Sequence, residues 1–110
     1  MTQQEKVRRE RLFREPGGLV TTEDVAVVLR LQVVTARAYK QLGIIEPCAR
    51  NGRADLYDLN EIRWTSKRLR SLKTNKTLRE IAPIIAAERR VERERQPLED
   101  RDPVDDQILQ

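Results

Sequence analysis

The sequence predicts a mainly α fold in which a helix-turn-helix is followed by a short β-hairpin wing. Three capping-box patterns precede apolar residues at helical spacing, and they begin at Thr21, Asp58 and Thr77. A further helical segment ends at Leu42-Gly43, where glycine is a favourable C-cap. The dipeptide Asn51-Gly52 stands between apolar segments and predicts a hairpin turn.

Residues 1–18 are a basic segment that we expect to form an N-terminal helix or arm. Gln3 to Arg14 are good helix formers with few apolar positions, and the sequence EPGG that follows opposes helix continuation. Two interpretations remain open. The segment is a frayed basic arm, or it is a helix that packs through Leu12 and Phe13 on the domain or on a second copy of the chain.

The expected winged helix-turn-helix domain spans residues 19–96 and begins with two short helices. The first follows the Thr21-x-x-Asp24 cap, and the second lies between Leu31 and Leu42. Because only about three residues separate them, the two helices are expected to form a helix-turn-helix. The glycine that is usual in such a turn is absent, and Arg30 or Leu31 holds its place.

The wing is expected directly after the second helix. Ile44 and Ile45 are β-branched, which favours an outgoing strand, and Leu56 and Tyr57 suit a strand that returns from the Asn-Gly turn. The sequence therefore predicts one short hairpin between the second and third helices of the domain.

Two more capped helices complete the expected domain. The helix after Asp58 carries Trp64, which we expect in the core, and the polar, basic loop from Lys73 to Thr77 leads to the last helix. Pro83 lies inside that helix and is expected to kink or confine it. The apolar residues of the last helix that we expect in the core are Ile81, Ile84 and Ile85.

Charge is distributed unevenly along the chain. The formal net charge is +4, but residues 19–90 contain 14 Lys and Arg against 8 Asp and Glu, whereas residues 97–110 contain one against five. A basic body is a weak indication of a nucleic-acid partner. The segment 97–110 is expected to be an acidic disordered tail, because it is rich in like charge and poor in apolar residues.

The composition excludes several classes of site. With one cysteine, Cys48, and no histidine, the chain has neither an intrachain disulfide framework nor a Cys/His metal cluster. We interpret Cys48 as a neutral loop or packing residue, with a reactive thiol as the alternative. We expect no cofactor and no enzyme, since there is no glycine-rich phosphate loop and no convincing nucleophile-base pair.

No apolar run approaches the roughly 20 residues of a membrane span, and the N-terminus lacks the apolar region of a secretory signal. We therefore expect a cytoplasmic, nucleoid-associated protein without a membrane partner.

Residues 20–85 contain a series of short motifs, among them Thr35-x-Arg37-x-Tyr39 and Leu42-Gly43-Ile44-Ile45-x-Pro47. They resemble the DNA-binding domain of the MerR family of bacterial regulators, in which the corresponding segments are Thr-x-Arg-Tyr-Tyr and Leu-Gly-Leu-Leu-x-Pro. Leu56-Tyr57-Asp58 resembles the segment after the first wing, and Thr77-Leu78-x-Glu80-Ile81 resembles the start of the fourth helix. The long dimerisation helix and effector region typical of full-length members are missing, so the resemblance implies a short member without an effector domain.

The chain also departs from the family pattern. Ala38 replaces a tyrosine, Lys40 replaces an acid, and Gln32 replaces the usual serine cap. Ala54-Asp55 stands where the family often has Tyr-Arg, which removes one customary phosphate contact of the wing.

The resemblance implies double-stranded DNA as the partner, with the second helix in the major groove and basic residues on phosphates. We expect Gln32 to read an adenine edge, Arg37 to contact a guanine or a phosphate, and one of Val33 and Val34 to touch thymine methyls. Tyr39 is expected to bind a phosphate through its hydroxyl while its ring packs inward. The candidate DNA-binding residues are Gln32, Val33, Val34, Thr35, Arg37, Tyr39, Lys40, Arg50, Asn51, Arg53, Tyr57, Lys73, Asn75 and Lys76.

The leading hypothesis is sequence-specific DNA binding in bacterial transcription regulation. One small domain binds a half-site weakly, so we expect a homodimer or a cooperative array on DNA. Two alternatives remain open. The first is an excisionase-like or segregation-type architectural DNA-binding protein, and the second is a protein-interaction module or anti-regulator with a protein partner.

Overall fold

The structure, a computed structural model, describes residues 2–95. The elements along the chain are α1 (Gln3–Arg14), β1 (Leu19–Thr21), α2 (Thr22–Leu29), α3 (Val33–Leu42), β2 (Ala49–Asn51), β3 (Ala54–Asp58), α4 (Leu59–Leu72) and α5 (Leu78–Arg95). This confirms a mainly helical fold with a small antiparallel sheet. The expected acidic tail, residues 97–110, lies outside the described residues.

The N-terminal segment is a helix that packs on the domain. The hydroxyl of Thr2 caps α1 by accepting a hydrogen bond from the Glu5 amide at 3.1 Å. The side chain of Leu12 is 1% exposed and belongs to the core, whereas Phe13 is 43% exposed. Of the two interpretations of this segment, the packed helix is therefore confirmed, and Leu12 provides the contact.

The first two helices of the expected domain form as the caps predicted. Thr21 and Asp24 make a reciprocal capping box at the start of α2, with both side-chain-to-amide distances at 3.2 Å. Residues 30–32 connect α2 to α3. Arg30 has a left-handed backbone with φ of 59°, so it does hold the place of the turn glycine, and α3 begins at Val33 rather than at Leu31.

The sheet contains one strand that the sequence did not predict. Its order is β1-β3-β2, and β1 pairs antiparallel with β3 so that Val20 lies opposite Tyr57. A strand of three residues is too short to produce a recognisable alternation, so no local signal marked it. It joins the start of the domain to the hairpin.

The prediction that Ile44 and Ile45 form the outgoing strand of the hairpin is wrong. Both lie in a bend directly after α3, and their side chains are 0% and 1% exposed. Burial in the core accounts for their apolar character here, and β2 begins only at Ala49, after Pro47. The hairpin itself is confirmed, because β2 and β3 pair antiparallel.

The hairpin turn lies one residue later than an Asn-Gly turn would. Asn51 pairs with Ala54 at the end of the strands, so the two loop residues are Gly52 and Arg53. Gly52 has φ of 64°, a value that glycine adopts at little cost, and glycine is favoured at the first position of such a loop. The arrangement places Arg53 at the tip of the hairpin.

The two C-terminal helices close the core. Ile81 and Ile85 of α5 are both fully buried, whereas Ile84 is half-buried and Trp64 of α4 packs only at the edge of the core. Pro83 lies in the second turn of α5 without ending it. Among residues 2–95, no helix has both the length and the apolar character that crossing a membrane requires.

Candidate nucleic-acid interface

Helix α3 presents one polar face to solvent because its opposite face is anchored in the core. Ala36 and Tyr39, three residues apart on one face, are 0% and 3% exposed. Arg37 and Lys40 lie on the exposed side, together with Gln32 and Val34 near the start of the helix. Val34 is 66% exposed.

The end of α3 is held in place from two directions. Gly43 has φ of 85°, and the Ile44 amide donates to the Tyr39 carbonyl at 2.9 Å, which is the bond pattern of a glycine-ended helix. The guanidinium of Arg89 on α5 donates to the carbonyls of Gly43 and Ile44 at 2.6 and 2.7 Å. These contacts fix the axis of α3 relative to the core.

The exposed face of α3 and the tip of the hairpin meet in one groove. The groove has a volume of about 410 Å³, and Arg37 and Lys40 of α3 line it together with Arg53 of the hairpin loop. Thr22 and Glu23 at the start of α2 also line it. We call this feature the α3–hairpin groove. It brings together basic residues that are separated by more than a dozen positions in the sequence.

Asp55 lies on β3 at the edge of the α3–hairpin groove and pairs with two of the predicted contact residues. Its carboxylate is 2.5 Å from the Lys40 ammonium and 3.5 Å from Nε of Arg50. The hydrogen bond from Lys40 lowers the pKa of the Asp55 carboxyl, so this group is ionised at neutral pH. Within residues 2–95, Arg37 and Arg53 have no such carboxylate partner.

Tyr39 and Lys73 are brought together across α3 and the end of α4. The Lys73 ammonium donates to the Tyr39 hydroxyl at 3.1 Å, and the same ammonium lies 5.6 Å from the centre of the ring. The ring packs inward, as the sequence predicted. Tyr39 is buried and Lys73 is exposed, so Lys73 is the outer of the two groups.

Tyr57 lines the α3–hairpin groove, but its side chain exposes almost no surface to a ligand. Its side chain is 1% exposed, and burial, assisted by the Asp55 carboxylate, raises the pKa of its hydroxyl. Its ring fills the core beneath the sheet. We therefore leave Tyr57 out of the contact set proposed below.

The remaining candidates do not line the α3–hairpin groove themselves. Arg50 and Asn51 are exposed on β2, and Asn75 and Lys76 are exposed in the loop between α4 and α5. In the first turn of α3, Val33 and Thr35 are half-buried.

The structure offers no metal site in the part of the chain that it describes, where no three His, Cys, Asp or Glu side chains come together. Cys48 is exposed beside β2, and partial desolvation together with the carboxylates of Asp58 and Glu61 raises the pKa of its thiol. A raised pKa disfavours the reactive thiolate. This agrees with the interpretation of Cys48 as a neutral loop residue.

Sequence reasoning missed Asp55 as a partner of Lys40, although its place in the wing had been noted as a departure from the family pattern. It also missed three arginines, Arg9, Arg30 and Arg70, that meet beside Tyr39 and Lys73. The one local indication of this group was Arg30, which stands in the turn after α2 where glycine is usual. Comparisons of the chain with protein-family models, with curated proteins and with solved structures gave no match.

Proposed function

We propose that this chain binds double-stranded DNA as a winged helix-turn-helix protein that resembles the MerR DNA-binding domain. In this proposal α2 and α3 are the helix-turn-helix, the β2–β3 hairpin is its wing, and α3 enters the major groove. Transcription regulation is the biological role that we infer. The protein acts by binding and not as an enzyme.

The observation that carries the proposal is the α3–hairpin groove. A helix whose exposed face bears Arg37 and Lys40 stands beside a hairpin tip that bears Arg53, and all three line the same concave surface. DNA phosphates are recognised by such convergent basic groups, and guanidinium groups match their geometry best. The excess of basic over acidic residues in 19–90 supports the same class of partner.

The contact residues differ in how available their side chains are to DNA. Arg37 and Arg53 carry charges without a carboxylate partner in the described chain, so we assign them the strongest phosphate or base contacts. Lys40 and Arg50 share Asp55 and contribute less unless DNA displaces that carboxylate. Gln32, exposed just before α3, is the residue placed to read a base edge.

A domain of this size contacts few phosphates, so its affinity for a single half-site is low. We propose that two or more copies bind together, as a homodimer or as an array on repeated sites. The spacing of protected sites in a footprint distinguishes the two, because an inverted repeat indicates a symmetric dimer and direct repeats indicate an array.

The test is to measure duplex binding by fluorescence anisotropy at several salt concentrations for the wild-type chain, Arg37→Gln and Arg90→Gln. Arg90 is exposed on α5 outside the groove and is the matched control for loss of one positive charge. We expect Arg37→Gln to weaken binding about tenfold and to lower the salt slope by about 0.9, while Arg90→Gln changes little. Equal losses in both variants, or no salt-dependent binding by the wild type, would contradict the proposal.

A further inference from the structure

A cavity lies between α1, α2, α3 and α4, and Tyr39 is one of the residues that line it. Its volume is about 210 Å³, and four of its lining side chains are cationic. Arg9 comes from α1, Arg30 from the turn after α2, Arg70 from α4 and Lys73 from the residue after α4. No carboxylate lines it within residues 2–95. We call this feature the four-cation cavity.

The positive charge of the four-cation cavity is not neutralised within the described chain. None of its four cations forms an ion pair with a carboxylate there. Arg9 donates to the Val27 carbonyl at 2.5 Å, and Lys73 donates to the Tyr39 hydroxyl at 3.1 Å. Both partners are neutral. Burial and the neighbouring charges of Arg30 and Arg70 lower the pKa of Arg9, which indicates a positive field at this point.

The backbone of Arg30 is unusual for a residue with a side chain. Arg30 is the one non-glycine residue with positive φ in the part of the chain that the structure describes. Its amide and that of Leu31 end α2 through bonds to Val27 and Ala26, a pattern in which glycine is the residue of lowest cost. Strained residues of this kind are concentrated at functional sites. The chain thus has an unfavourable backbone residue whose side chain reaches the cavity.

We propose that the four-cation cavity is a binding site for a phosphate group. Guanidinium groups bind the oxygens of a phosphate in pairs, and an ammonium adds a point charge. The Tyr39 hydroxyl, held by Lys73, adds a neutral donor. A volume of about 210 Å³ exceeds that of several water molecules at about 30 Å³ each, so a phosphate group has room.

Two sources can supply this phosphate group, and they share its chemistry. One is free phosphate or a phosphorylated small molecule. The other is a backbone phosphate of DNA bound on the adjacent surface of α3, in which case the site extends the proposed function. The first source does not depend on DNA binding at all.

The first arm of the test uses the full chain without DNA. Inorganic phosphate is titrated by isothermal titration calorimetry at constant ionic strength, with chloride as the reference anion. Arg30→Gly removes the charge and keeps the left-handed backbone, so its thermal midpoint is expected at or above that of the wild type. If the ligand is a free phosphate, we expect saturable binding by the wild type and at least about tenfold weaker binding by Arg30→Gly and Arg70→Gln. Arg90→Gln is the control that retains binding.

The second arm measures duplex binding by the same variants. If DNA supplies the phosphate, Arg30→Gly and Arg70→Gln lower the salt slope by about 0.9 each, and inorganic phosphate binds weakly or not at all. If the source is a free phosphate, the variants bind DNA as the wild type does and differ only in the first arm. Wild-type behaviour of both variants in both arms overturns the site. If the wild type does not bind duplex DNA, the proposed function is contradicted. The phosphate site is not, because the titration in the first arm tests it without DNA.

Discussion

Asp55 determines how much of the positive charge beside α3 is available to a partner. One carboxylate accepts from Lys40 and lies near Arg50, and the pKa of the carboxyl is lowered by the first of these contacts. The negative charge of Asp55 lowers the positive potential that Lys40 and Arg50 present to an approaching phosphate. Asp55 therefore weakens the attraction of this surface for any anionic ligand, and for DNA the effect does not depend on the base sequence.

We predict that Asp55→Asn strengthens duplex binding. The amide keeps the shape of the side chain, removes one negative charge and frees Lys40 and Arg50 for phosphate contacts. The affinity is expected to rise several-fold, and the salt slope to become steeper by about 0.9 for each cation that gains a contact. Fluorescence anisotropy across a salt series measures both quantities. Glu94→Gln makes the same charge change on an exposed position of α5 and is expected to have a smaller effect.

At the residue scale, the predictions that succeeded concern groups close together in sequence. The capping pairs Thr21-Asp24 and Thr77-Glu80 form over a separation of three residues, so the pattern itself contains both partners. The Lys40–Asp55 and Tyr39–Lys73 contacts span 15 and 34 residues. Such contacts depend on how the hairpin and α4 pack against α3, which a local pattern does not encode.

At the scale of elements, arginine side chains from neighbouring helices donate hydrogen bonds to carbonyls at the C-terminal ends of three helices. Arg63 of α4 donates to the Leu12 carbonyl at the end of α1, Arg9 of α1 donates to Val27 of α2, and Arg89 of α5 donates to the residues that end α3. A helix C-terminus carries unpaired carbonyls and partial negative charge, both of which a guanidinium satisfies. Each of these arginines thus joins the end of one helix to a neighbouring helix.

We predict that Arg89→Met destabilises the fold by about 3 kcal/mol, because it leaves two carbonyls at the end of α3 without their donor and each costs about 1–3 kcal/mol. The Arg89 side chain is almost fully buried, and burial lowers the pKa of its guanidinium. Urea denaturation followed by circular dichroism measures the change. Arg90→Met alters the next residue, which is exposed, and is expected to stay within about 0.5 kcal/mol of the wild type. Similar losses in both variants would show that the hydrogen bonds from Arg89 to the end of α3 are not the cause of the destabilisation.

Helices whose ends are marked by capping residues could be predicted from the sequence. A strand that exists only because it pairs with a distant strand could not. The caps and the glycine end of α3 fixed three helix starts and one helix end. Strand β1 exists because Val20 and its neighbours meet β3, and Ile44 and Ile45 are β-branched residues that the core uses outside any strand. The β-propensity of such residues reflects how their side chains pack and not an intrinsic backbone preference, so a fully buried bend can hold them without a strand.

At the scale of the whole molecule, the charge is segregated between a basic body and the acidic segment 97–110. That segment carries one Arg against five Asp and Glu, a net charge of −4, in a chain whose total is +4. Proteins with opposite charges on two parts of one chain attract anionic ligands less than the basic part would alone. The segment is thus expected to act against DNA binding through its charge, even without a specific contact.

We predict that a chain ending at Gln96 binds duplex DNA more tightly than the full chain. Truncation raises the formal net charge from +4 to +8, so the gain is expected to be greatest at low salt and to fade as salt screens the charges. A variant of the 110-residue chain in which the five acidic residues of segment 97–110 are changed to Asn or Gln removes the charge of the segment but keeps its length. Both variants should gain affinity if charge is the cause. A gain in the truncated chain alone would show that the segment acts by occupying space, and no gain in either would show that the basic body already binds without interference.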